Sequence, residues 1–293
     1  MAIRKPRYPA IDLGDAVVVI TGGARGIGKA TAAAFVAAGA TVTIGDLDGT
    51  SVEETAKALG AQAFQVDVTS RPSFAAFIDA VLAEHGRIDV LVNNAGVMPL
   101  GGFLDEPDSL SATTLDVNVW GLIHGMRLVL PGMIARGRGH VVNIASMAGK
   151  IAVPGMAVYN ASKFAAVGMT AAVRREYADT GVSVSAVLPS AVRTELAAGA
   201  PLGGGMPTVE PEVIARAVVA SCRTRKAEIP VPGYLAGWDL LAAITPEPLM
   251  RAGRTLLGDT RALTRVDHGA RATYARRVAD QAATHALDLE AQQ

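Results

Sequence analysis

Two residues in the segment YNASK, Tyr159 and Lys163, stand four positions apart, the spacing that brings side chains onto one face of a helix. A phenol beside an ammonium can move a proton, because the cation favours the phenolate and is expected to lower the tyrosine pKa toward neutrality. Such a pair is common on helix surfaces, so its surroundings must decide. Ser146 ends the apolar run GHVVNIAS, where its hydroxyl is placed to bond a substrate oxygen. Asn118 lies in LDVNVWG, inside an otherwise helical stretch. Its amide is expected to bond backbone and water and to relay protons from Lys163 to solvent, with a helix kink as the competing reading.

A second group of residues suits a nucleotide. TGGARGIG places Gly22, Gly26 and Gly28 between an apolar strand and a helix. There, glycines let a pyrophosphate approach backbone N–H groups at the helix N-terminus. The spacing differs from the common three-glycine dinucleotide fingerprint. Asp46 ends the next strand, where a carboxylate bonds adenosine ribose hydroxyls and repels the additional phosphate of NADP. Arg25 points partly the other way, since a cation in the turn suits that phosphate. Asp46 is weighted more heavily, and NAD is the expected cofactor. Asp67 and Val68 in VDV are expected against the adenine. Asn93 and Asn94 of NNAG are expected to tie strand ends together, with Gly96 leaving room for the cofactor.

These residues need a scaffold that gathers strand ends. AVVVIT, ATVTIGD, AQAFQVDV, IDVLVNNAG, GHVVNIAS, VSVSAVLPS and AEIPVPG read as seven strands. Helical stretches around residues 71–85, 108–136, 157–179 and 210–222 separate the later ones. This alternation predicts an α/β fold: a doubly wound, mainly parallel seven-stranded Rossmann-type sheet with helices on both faces. Residues 1–235 are expected to form one cofactor-binding and catalytic domain, with residues 1–14 a short, unstructured arm. Residues 236–293 are expected to be a helical extension on or near the substrate pocket, disordered at the final LDLEAQQ. The Gly- and Pro-rich segment 195–209 is expected to be a flap.

Composition excludes several classes. Lysine plus arginine and aspartate plus glutamate each number 27, which removes a global electrostatic case for nucleic acid. The one cysteine, Cys222, and five scattered histidines offer no disulfide framework or metal-site spacing. No signal-like start or run of eighteen apolar residues stands out, so a cytoplasmic protein without a transmembrane segment is expected.

Taken together, the motifs resemble those of the short-chain dehydrogenase/reductase family over approximately residues 15–235. TGGARGIG resembles the cofactor turn and NNAG the sheet-stabilising motif, while Asn118, Ser146, Tyr159 and Lys163 resemble the catalytic tetrad. The resemblance implies that Ser146 and Tyr159 hold the reacting oxygen, that Tyr159 moves the proton, and that Lys163 also binds the nicotinamide ribose. It extends the cofactor surface to Ile27, Leu47, Ala95, Pro189, Val192 and Thr194. One departure stands out: Pro189-Ser190 occupies the place of the family's usual Pro-Gly, and the serine is expected to narrow or polarise the nicotinamide surroundings.

The fold implied by the resemblance places Met98, Met147, Val153, Pro154, Met156 and Leu196 around the substrate beside Ser146. They suggest a hydrophobic alcohol or ketone, steroid-like, alicyclic or long-chain. The expected activity is an NAD-dependent alcohol dehydrogenase or ketone reductase. An NADP-preferring carbonyl reductase and a non-catalytic NAD-binding regulator are the alternatives. Helices near 108–136 and 157–179 resemble those of the family's intersubunit bundle and imply a homodimer or homotetramer.

Overall fold

A computed structural model describes residues 8–201, 207–258 and 260–291. Its main sheet has seven strands: β1 (Val17–Thr21), β2 (Thr41–Asp46), β3 (Gln62–Gln65), β4 (Val90–Asn93), β5 (Gly139–Ile144), β6 (Val182–Pro189) and, after two short strands, β9 (Glu228–Val231). The short strands β7 (Ala191–Val192) and β8 (Thr208–Val209) pair separately. The spatial order is β3-β2-β1-β4-β5-β6-β9, and every pairing is parallel. The chain reverses its winding between β1 and β4, which opens a crevice at the strand C-termini.

The connecting helices are α1 (Gly26–Ala37), α2 (Gly49–Leu59), α3 (Arg71–His85), α4 (Asp108–Leu115), α5 (Gly121–Ala135), α6 (Ala157–Glu176) and α7 (Pro211–Thr224). Buried strands alternate their apolar side chains between two cores. Val18 and Ile20 pack with Phe35, Ile44 and Val218 on one face; Val17 and Val19 pack with Phe74, Phe77, Leu91 and Met133 on the other. This double burial explains the continuous apolar strands. Asp48 and Ser70 cap α2 and α3 by accepting N–H bonds from Ser51 and Ser73.

The expected helix over 108–136 is divided by a π turn at Asp116–Trp120, where Gly121 N–H reaches back to Asp116 O. By length and composition, Asp108–Ala135 is long and apolar enough to cross a membrane. Here it covers the sheet, with Met126, Val129 and Met133 in the core. The arm is also packed from Tyr8 onward: Pro9 O accepts from Arg225, Arg174 stacks on Tyr8, and Ile11 is buried.

Beyond β9 come α8 (Trp238–Ile244), α9 (Glu247–Leu257), α10 (Arg261–Thr264) and α11 (His268–Ala291). The final segment is helical through Ala291, contrary to its expected disorder. Helix α11 packs against α4. Residues 202–206 of the expected flap lie outside the described residues.

Candidate active site

A cavity of about 750 Å³ runs along the strand ends. At one end is the glycine turn. Gly22 and Gly26 have φ values of +64° and +53°, a region that disfavours side chains. A Cβ on Gly28 would lie 2.0 Å from Gly22 O, so the first turn of α1 depends on an absent side chain. Its N-cap Arg25 supplies no side-chain cap, which leaves first-turn N–H groups for an anionic ligand. A Cβ on Gly96 would press within 3.1 Å of Asn118 Oδ1 and 3.6 Å of Lys163 Nζ. Main chain bared at both ends of this passage fits an extended dinucleotide.

The expected cofactor residues line this cavity except Gly28, which shapes the turn from behind. Asp46 accepts from Ala24 N at 3.1 Å and from Asp48 N at 3.2 Å, which fixes its carboxylate at the end of β2. Arg25 is bound to Asp48 and Ser51 and lies 3.6 Å from Glu195. The Ser51 N–H, followed by Arg25, holds Asp48 down to about 2. Asp67 accepts from Thr69 N and Oγ1. Asn94 donates to Thr21 O and Gly22 O, joining β1 to the end of β4, while Asn93 donates to Asn143 Oδ1 across to β5.

Tyr159, Ser146 and Lys163 meet in the middle of the cavity. Ser146 accepts from Ala148 N at 3.0 Å and donates to Pro189 O at 3.5 Å. Lys163 Nζ lies 5.6 Å from the Tyr159 ring centroid and donates to Ile144 O at 3.1 Å. The expected lowering of the tyrosine pKa does not occur. Burial pushes Tyr159 up to about 12, against the opposing effect of the Ser146 side chain. Burial also brings Lys163 down to about 8. Removing either charge from water outweighs the attraction expected from helical spacing.

Asn118 differs from its expected role as well. Its Oδ1 accepts from Val97 N at 2.9 Å, and its Nδ2 donates to Val97 O and Ser162 Oγ. The fully buried amide clamps the loop after β4 to α6 rather than presenting itself to water. Ser190 donates to Pro207 O at 2.8 Å, so its hydroxyl tethers the return to β8 rather than polarising the cavity.

Met98, Val153, Met156 and Leu196 line the far end; Pro154 does not. Met147 also leaves the expected set, because its side chain is buried with Leu122, Ala166 and Leu188 behind the catalytic strand. In their place stand Leu100, Ile151, Leu235, Trp238, Ala262 and Tyr274. Tyr274 comes from α11, whose Arg271 donates to the carbonyls of Met98, Leu196 and Ala198. Arg277 and Arg25 both pair with Glu195, at 2.8 and 3.6 Å. The signal available for this wall was the buried series Arg271, Tyr274, Val278 and Ala282, one stripe of a helix.

The chain belongs to the short-chain dehydrogenase family, whose model matches residues 16–201, and it is accordingly an oxidoreductase with a nicotinamide cofactor. It is 35% identical over 248 residues to SadH of Mycobacterium tuberculosis, covering 78% of this chain and 90% of that protein. It is 35% identical over 239 residues to estradiol 17-beta-dehydrogenase 11 of Rattus norvegicus, covering 79% and 80%. A short-chain dehydrogenase/reductase from Burkholderia phymatum, solved with NAD, has a TM-score of 0.71 and 26% identity and covers 79% of this chain and 93% of its own.

Proposed function

We propose that this protein interconverts a hydrophobic secondary alcohol and its ketone with NAD as the preferred cofactor. The observation that carries this reading is one continuous cavity that joins the glycine turn and Asp46 to Tyr159 and Ser146 and then to an apolar wall. Asp46 supports NAD because its fixed carboxylate opposes a 2′-phosphate, while Arg25 is engaged by acids of the protein. The apolar wall and the name of the estradiol dehydrogenase relative favour a steroid-like or other alicyclic substrate.

Gly22, Gly26, Ile27 and the α1 N-terminus would hold the pyrophosphate, Asp46 the adenosine ribose, and Lys163 the nicotinamide ribose. The bound cofactor supplies hydride to the carbonyl carbon in reduction and accepts it in oxidation. For reduction, Ser146 and Tyr159 hold the carbonyl oxygen, and Tyr159 gives it the phenolic proton. With its pKa raised to about 12, Tyr159 retains that proton at neutral pH and is ready as the donor. Lys163, brought to about 8, remains largely protonated there and opposes the phenolate charge left behind. For oxidation, the phenolate takes the alcohol proton.

Residues 236–293 act in this reading as a helical extension completing the substrate end. Leu115, Trp120 and Phe164 are exposed on the α4, π-turn and α6 surfaces, which suits self-association into a dimer or tetramer.

The test follows nicotinamide absorbance with NAD or NADP across hydrophobic alcohols, and with their reduced forms across ketones. NAD-linked turnover of an alicyclic substrate is expected. Tyr159→Phe should retain cofactor binding and lose on the order of 10³-fold in turnover. Wild-type turnover in this variant would overturn the proton-transfer assignment.

A further inference from the structure

Helix α11 brings a second phenol to the cavity. Tyr274 lies beyond the stretch matched to the family model, yet it lines the same cavity as Tyr159 and is 4% exposed. Its hydroxyl oxygen accepts from Met98 N at 2.8 Å. No described acceptor receives its own O–H. A buried donor without an acceptor is costly unless a ligand or water completes it.

The phenol is held from several sides. The guanidinium groups of Arg271 and Arg277 lie 4.8 and 5.6 Å from its ring centroid. Arg271 fastens α11 to the Met98 carbonyl, while the Met98 N–H occupies one acceptor direction on the phenol. The ring and oxygen are therefore fixed, leaving the O–H rotor as the adjustable element. Burial raises the Tyr274 pKa against the Met98 N–H and the adjacent cations, so the phenol keeps its proton as a donor, and its apolar neighbours include Val97, Val117 and Val278.

We infer that Tyr274 is a specificity-determining residue that donates a hydrogen bond to a second oxygen of the substrate, apart from the oxygen held by Tyr159 and Ser146. The substrate class is thus a hydrophobic alcohol or ketone bearing another carbonyl or hydroxyl on its body. This inference rests on the proposed function: the reacting oxygen is fixed at one phenol and the molecular frame extends toward the other. A simple hydrophobic ketone can react but leaves the Tyr274 donor unmatched.

The test uses binding rather than turnover. NAD-loaded protein, which has no hydride to give a ketone, is titrated with androstanone and androstanedione, and the fluorescence of cavity-lining Trp238 is followed against a Trp238→Phe control. The wild type is expected to bind the diketone about tenfold more tightly, and Tyr274→Phe to equalise the affinities chiefly by weakening the diketone. Equal affinities in wild type, or the same preference in a folded Tyr274→Phe protein, would overturn the role of Tyr274. That outcome would leave the proposed hydrophobic substrate intact. Binding of neither ketone would overturn the steroid-like cavity reading and this inference with it. If the variant does not fold, a structure of the wild-type diketone complex decides. An oxygen within hydrogen-bond distance of Tyr274 Oη supports the role, and the phenol donating elsewhere overturns it.

Discussion

The two ends of the cavity are held by different parts of the chain. At the glycine turn, main chain meets main chain. Gly28 is close enough to Gly22 that a Cβ would fall 2.0 Å from its oxygen, and a Cβ at Gly22 would fall 2.8 Å from Ala95 Cα. At the substrate end, long side chains suspend α11: Arg271 reaches three carbonyls and Arg277 reaches Glu195. Nearby α8 leaves Leu240, Leu241 and Ile244 exposed. The contrast teaches that the first end is specified by atoms that must be absent, whereas the second is specified by a few side chains that can be exchanged.

The strongest way to break this distinction is to add one methyl group at the glycine turn. Gly28→Ala places its Cβ 2.0 Å from Gly22 O and 2.8 Å from Gly22 C, main-chain atoms that cannot swing aside as a side-chain end can. Its expected cost is about 3 kcal/mol of stability, with a larger loss of cofactor affinity because the α1 N-terminus must move. Chemical denaturation and cofactor titration test both effects. Near-wild-type values would show that the turn can relax and would erase the proposed contrast.

Arg271→Met should have a smaller and more local effect. Three carbonyls lose their common donor, but a buried cation is also removed. These opposing terms leave an expected destabilisation of about 2 kcal/mol for α11 and residues 195–200. Hydrogen exchange should quicken in those segments while β1 and α1 remain protected. Uniformly faster exchange would instead make α11 part of the same cooperative unit as the sheet.

The same contrast explains what was legible in the amino-acid order. Short apolar strands and turn residues exposed the parallel scaffold, and the type and spacing of Tyr159, Lys163 and Ser146 marked the middle of the cavity. These signals depend on local succession. Tyr274 approaches Met98 across 176 positions, so its role required the tertiary path of α11. Counting the seven arginines over residues 251–277 could not separate buried Arg271 from exposed Arg276. Met147 was misplaced for a related reason: its position beside Ser146 identified the neighbourhood, while the single 3-10 turn Met147–Gly149 aimed its side chain into the core behind the site. Asn118 stood out as a polar residue inside a helical stretch, but the sequence did not reveal that both its amide hydrogens and its oxygen are bonded within the protein.

The smallest expected effect sharpens the cofactor end of the comparison. Asp46→Ala removes the carboxylate that would meet an adenosine ribose hydroxyl or oppose a 2′-phosphate, so NAD affinity should fall relative to NADP by about tenfold, equivalent to about 1.4 kcal/mol. The change should stop short of strong NADP preference, because Arg25 remains bound to Asp48 and near Glu195. Adding Asp48→Asn should free part of that cation and move the ratio further toward NADP. Fluorescence titration of both cofactors against the single and double variants measures this progression. An unchanged ratio in Asp46→Ala would remove Asp46 as the discriminator; a full reversal in that single variant would show that Arg25 escapes its acidic partners when a phosphate is offered. The intermediate shift is expected because the carboxylate is held by Ala24 and Asp48 N–H groups independently of the Arg25 pair, so removing one constraint leaves the other in place.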